Sequence, residues 1–129
     1  MDRTEIEDLF RSINVWKRGH QRAPHKPLLL LYALGKYSHG ADRLIPYSDI
    51  DRDLRQLLIE FGPFRKSHHP ELPFWHLQSD GIWEIESLQG MQDLSLKVPS
   101  RKAFLESHAK GGFRTPVYEA VIADPYLIV

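Results

Sequence analysis

Near the start of the chain, apolar residues recur at helical spacing: Ile6, Leu9, Phe10, Ile13 and Trp16, with acids in the opening turn. That stripe predicts an amphipathic helix from about Thr4 to Lys17, stopped by Gly19. The segment PLLLLYALGKYS is apolar on most sides. It predicts a buried second helix from Pro27, where a missing N–H costs nothing, to near His39-Gly40. LIPY reads as a short extended piece. Ser48 with Asp51 resembles a capping box, and Ile50, Leu54, Leu57, Leu58 and Phe61 form the stripe of a third helix ending at Gly62-Pro63. FRKSHHPELP, with two prolines, reads as a loop. FWHLQSDGIWEIE alternates about Asp80-Gly81 and predicts a strand–turn–strand hairpin. After an irregular stretch, Ser100 and Thr115 each open a short helix, the second with Pro116 at its first position. The expected fold is α+β and mostly helical: a winged-helix-like helical core, a short β-hairpin and a C-terminal helical appendage.

Length and composition narrow the class. At 129 residues, the chain is expected to form one domain over residues 1–129. It has no cysteine, which excludes disulfides, thiol catalysis and cysteine-ligated zinc and fits a cytoplasmic protein. The N-terminus, MDRTEIEDLF, is acidic and amphipathic and so is no secretory signal. The longest apolar run, PLLLLYALG, is far short of a membrane span.

Charge changes the picture more through its distribution than its sum. Lys plus Arg equals Asp plus Glu at 17 each, yet Leu9 to Ala41 holds six Lys or Arg and no acid. From Ser67 to Leu96 there are five acids and no Lys or Arg. A neutral chain can therefore carry a basic face, although two solvated faces of opposite sign explain the same pattern.

The candidate chemistry is sparse. His68, His69 and His76 are close in sequence, but their spacing matches no zinc pattern, and a hydrogen-bonding role in loop and strand explains them better than metal ligation. Asp49, Asp51 and Asp53 crowd a helix start, where the macrodipole accounts for them. Glu84 and Glu86 would share a strand face, with no lysine following to complete a nuclease-like set. There is no Gly-rich phosphate loop and no nucleophile elbow. The expectation is a non-enzyme with no metal and no cofactor. Two basic loops remain, KRGHQRAPHK before the second helix and FRKSHH after the third. Gathered at one end of a helical core, with QSDG as a wing, they would make a DNA-binding face.

QRAPHKPLLLLYALGKY and LLIEFGPFRKSHHPELPFWHLQSDGIWEI together resemble the sulfur-binding domain of phosphorothioate-dependent type IV restriction endonucleases, over about residues 1 to 125. That domain usually precedes an HNH nuclease domain. The HNH part is absent here, so the chain looks like an isolated reader, either a truncated piece or a natural stand-alone form. The resemblance implies binding to double-stranded DNA in which sulfur replaces a non-bridging phosphate oxygen. A homodimer or a fused HNH domain would let full-length relatives address both strands. In the family an arginine stem, a ring and a proline form a shallow sulfur cavity. Carried onto this chain, these are Arg22 and His69-Pro70, with Pro73 beside them; Leu72 is the alternative wall, and the ring is an imidazole where relatives can have tyrosine. Arg18, Arg22, Lys26 and Lys66 are assigned to phosphates. Gln21, His25, Ser67, His68, Gln78 and Ser79 are candidates for base edges or bridging contacts. Phe74, Trp75, Trp83 and Trp16 are expected in the core rather than stacked on bases. A reader of another modification or of ordinary duplex, a His-metal nuclease and a protein-interaction module stay open as alternatives.

Overall fold

The computed structural model describes residues 2–11, 25–61, 68–86 and 98–124. Ile13, Trp16 and the helix stops at Gly19 and Gly62-Pro63 lie outside them. Helix α1 (Arg3–Arg11) starts one residue before the predicted start. The Asp2 carboxylate accepts the Glu5 backbone N–H at 2.8 Å, satisfying one of the orphan donors of the first turn. The apolar stripe is used as predicted: Ile6 is buried and the Phe10 ring meets Phe113 edge to face.

Helix α2 (His25–Ser38) begins two residues before Pro27, which still sits in the first turn where its absent N–H is tolerated. It is not buried all round. Leu29, Leu30, Ala33, Leu34 and Tyr37 face the core, whereas Leu31 is 63% exposed. The helix closes through Gly40, at φ +85°, close to the predicted end. The Tyr37 hydroxyl donates to the Arg43 carbonyl at 2.7 Å and accepts from the Phe113 N–H at 3.0 Å, bolting α2 to the sheet.

The sheet has three antiparallel strands, β1 (Ile45–Pro46), β2 (Trp83–Glu86) and β3 (Lys110–Phe113), in the order β1-β3-β2. Its central strand, KGGF, gave no strand signal because it lacks β-branched residues. The glycines are required by packing. A Cβ on Gly111 would overlap the Phe74 ring, and one on Gly112 would overlap the Arg43 carbonyl oxygen. Helix α3 (Tyr47–Phe61) follows β1 directly and buries Ile50, Leu54 and Leu58, as its stripe predicts.

The predicted hairpin is the main correction. Residues Glu71–His76 form helix α4, which runs into a 3-10 turn over Leu77–Asp80; Gly81, at φ +78°, then swings the chain into β2. Pro70 is the N-cap residue of α4 and Pro73 lies in its first turn. These prolines mark a helix start rather than a loop. QSDG is therefore a helix end and not a wing. The fold class itself stands, α+β and mostly helical, with α5 (Arg101–Glu106) packed on α3 and α6 (Thr115–Ala123) on α1. Ser100 caps α5 by accepting the Ala103 N–H at 3.1 Å. Arg114 occupies the N-cap position of α6, without a side-chain capping bond, so Pro116 sits one position later than predicted.

Tyr47, Phe74, Trp83, Phe104 and Phe113 are each at most 1% exposed and meet in mostly edge-to-face pairs. Fully burying a side chain of this kind contributes about 1.5–3 kcal/mol. Phe74, Trp75 and Trp83 are core residues, as expected.

Candidate nucleic-acid interface

Helix α4 links the two ends of the candidate site. At its N-terminal end, His68 and His69 border an open groove of about 520 Å³, shared with Arg55, Glu71 and Arg101. His69 is the exposed member, 53% accessible, and its Nδ1 lies 3.2 Å from Glu71 Oε2. The other oxygen of Glu71, Oε1, is buried with no hydrogen-bond partner among the described residues. Pro70 and Pro73 are buried at the start of α4, while Leu72 between them is 42% exposed.

The backbone of this loop is held from α3. Arg55 donates to the His68 carbonyl at 3.0 Å and to Asp51 Oδ1 at 3.1 Å. Asp51 also accepts both oxygens' worth of contact from Arg101 Nε, at 3.0 Å each, and the Tyr47 hydroxyl at 3.2 Å. With its side chain 6% exposed, Asp51 is a buried ion-pair centre. The macrodipole reading of the three aspartates thus fails for Asp51. It also fails for Asp53, which accepts from Tyr32 Oη at 2.7 Å and pairs with Arg52. Burial pushes the Asp53 carboxyl up, but the hydrogen bonds from Arg52 and Tyr32 outweigh it and leave the group below its ordinary value.

At the other end of α4, Lys26 Nζ meets Asp80 Oδ2 at 2.7 Å, with side-chain exposures of 16% and 2%. Asp80 thus takes the charge of a lysine assigned to phosphate. His76 lies close by and is exposed, whereas its neighbour Trp75 is buried. Loss of water around part of its ring and the Lys26 ammonium hold its imidazole below the ordinary value, against the pull of Asp80. His25 opens α2, half-buried. Gln78 Nε2 donates to the Trp75 carbonyl at 3.0 Å and Ser79 Oγ to the His76 carbonyl at 2.9 Å, so both cap their own turn. Arg18, Gln21, Arg22, Lys66 and Ser67 lie outside the described residues.

The structure thus brings His68 and His69 to one groove. Pro70 and Pro73 are buried at the start of α4 and do not line it, while Lys26, Gln78 and Ser79 lie at the far end of the same helix. The structure adds Arg55 and Arg101, which sequence reasoning missed. Arg55 follows Asp51 by one helical turn, a legible signal; Arg101 reaches Asp51 from α5, which no local pattern reveals. Among the described residues no cluster of three His, Asp or Glu could hold a metal ion, and no helix is long and apolar enough to cross a membrane.

A family model described as "ScoMcrA-like, DNA sulfur-binding domain" matches residues 3–129. Among solved structures, the sulfur-binding domain of ScoMcrA complexed with phosphorothioated DNA aligns with TM-score 0.78 at 22% identity, over 94% of this chain and 78% of that one. The sulfur-binding domain of SprMcrA, also complexed with phosphorothioated DNA, aligns with TM-score 0.74 at 20% identity, over 97% and 77%. A chain comprising the sulfur-binding and SRA domains of ScoMcrA in such a complex aligns with TM-score 0.77 at 23% identity over 93% of this chain, which spans only 38% of that one. At these identities the structural likeness shows the fold. No curated protein matches.

Proposed function

Because the chain belongs to the ScoMcrA-like DNA sulfur-binding domain family, we propose that it binds phosphorothioate-modified duplex DNA, as a non-catalytic reader acting in the cytoplasm within a restriction system. The family match along almost the whole chain carries this reading. The sulfur-binding domains of ScoMcrA and SprMcrA that share its fold are complexed with phosphorothioated DNA, which supports the same partner here.

Sulfur is larger, more polarisable and a weaker hydrogen-bond acceptor than the oxygen it replaces. Moving it into an apolar dimple therefore costs less than moving oxygen there. On this reading the aliphatic stem of Arg22 forms one wall and the exposed His69 ring the other. Pro70 and Pro73, both buried, and the exposed Leu72 follow His69 within one turn of chain and are the remaining candidates for that wall. The phosphate's charge is met by Arg18, Arg22 and Lys66. Lys26 carries the smaller share, because Asp80 already holds its ammonium. Gln21, His25, Ser67, His68, Gln78 and Ser79 remain the candidates for bases and bridging contacts.

The test is a titration of labelled duplexes identical except for one sulfur, in each configuration at phosphorus, at fixed salt. Tighter binding of one sulfur diastereomer is expected, with the preference reduced in Arg22→Ala and His69→Ala. Equal affinity for sulfur and oxygen duplexes would refute the reading and leave an ordinary DNA binder.

A further inference from the structure

We infer that Arg101 is a further DNA-contacting residue: it supplies a backbone-phosphate contact on the His69 side of the groove, in an orientation set by Asp51. The inference rests on the DNA-binding reading above. Two guanidinium groups, those of Arg55 and Arg101, share the one carboxylate of Asp51, which leaves that cluster with one positive charge in surplus. The two cations are not equivalent. Arg55 is the more enclosed, at 33% exposure, and its terminal nitrogens are spent on Asp51 and the His68 carbonyl. Arg101 is 53% exposed and bonds Asp51 through Nε alone. Its two terminal amino groups have no partner among the described residues.

Arg101 borders the same groove as His69. A guanidinium anchored through Nε has lost much of its rotamer freedom before any ligand arrives, so less entropy remains to be lost when the terminal pair meets a phosphate. The paired terminal N–H groups suit two phosphate oxygens at once. Glu71 lines the groove as well and carries its own negative charge, with Oε2 facing His69 Nδ1. Within the Asp51 cluster, the exposed cation with terminal groups to spare is Arg101. A phosphate contact reads no base and no sulfur. Arg101 would strengthen both duplexes alike and hold the strand against the wall that His69 forms.

The experiment measures affinity for the sulfur and oxygen duplexes across a salt series, for the wild type and for Arg101→Gln and Arg101→Lys. For Arg101→Gln, binding to both duplexes is expected to weaken by about fivefold to tenfold at low salt, with the slope of log K against log salt shallower by about 0.9. Arg101→Lys keeps the charge and should restore most of the slope. Unchanged affinity and slope in Arg101→Gln, with the wild type still preferring sulfur, would overturn the inference alone. A wild type that binds neither duplex would instead overturn the functional reading beneath it. Should Arg101→Gln fail to fold, dicarbonyl modification of wild-type arginines, read by mass spectrometry, decides the matter. Protection of Arg101 by duplex is expected, and equal labelling with and without duplex counts against the contact.

Discussion

Lys26 and Asp80 form an ion pair at 2.7 Å that ties the first turn of α2 to the end of the 3-10 turn following α4, with the carboxylate almost wholly out of water. Such a pair gains little net stability by itself, but removing one partner strands the other charge. Asp80→Asn is therefore expected to cost about 3 kcal/mol in urea unfolding, while Lys26→Met combined with Asp80→Asn recovers part of that loss. A single variant with the wild-type midpoint would mean that Lys26 escapes to solvent.

Arg55 fixes the backbone of the His68-His69-Pro70 loop through the His68 carbonyl while holding Asp51. Lysine in its place keeps the charge but cannot bridge both acceptors. Arg55→Lys should therefore leave the salt slope of DNA binding unchanged. It should lower the preference for sulfur over oxygen duplex by about tenfold, the equivalent of one charge-assisted hydrogen bond. Equal titrations of both duplexes in wild type and variant would remove Arg55 from the positioning role.

The central strand tolerates no side chain at Gly112, where a Cβ would overlap the Arg43 backbone carbonyl and press on the Tyr37 hydroxyl. Both obstacles are held by hydrogen bonds that join α2 to the sheet. Gly112→Ala is expected to destabilise by about 3 kcal/mol or more, read from the denaturation midpoint. Gly35→Ala is the control, since its Cβ would meet open space and a helix prefers alanine.

His76 gives the stability a pH dependence of known sign. Its folded pKa is depressed, by partial loss of hydration and by Lys26, so the unfolded chain takes up the proton first. Stability falls as pH drops below the unfolded value of about 6.5 and levels off beneath the folded value. Urea midpoints measured between about pH 5 and 8 should fall less steeply toward acid in His76→Gln than in the wild type. Parallel curves would exclude His76 as the source.

The helices that pack through long apolar stripes were legible in order and type, because periodicity of this kind is local. Ile50, Leu54 and Leu58 on α3 and Ile6 on α1 lie where their spacing put them. The family resemblance was legible in the same way, through contiguous segments, and the match over residues 3–129 shows that family. What the chain alone misassigned was the stretch from Pro70 to Asp80, whereas the strand expected after Gly81 is present as β2. Phe74, Trp75 and Leu77 are buried by neighbours on several sides, so an alternation that reads as a strand is equally served by a short helix. Two prolines that suggested a loop stand where a first turn needs no N–H.

The partners of charge were decided only by tertiary structure. Asp51 and Arg101 are distant in sequence and meet because α5 packs on α3; Lys26 and Asp80 meet because α4 lies against α2. Composition gave equal numbers of cations and acids. It could not reveal that one cation of the basic segment is consumed by a buried acid, or that two arginines outside it share another. Hydrophobic spacing is written along the chain. The pairing of buried charges depends on which surfaces the core brings together, and only the folded arrangement settles that.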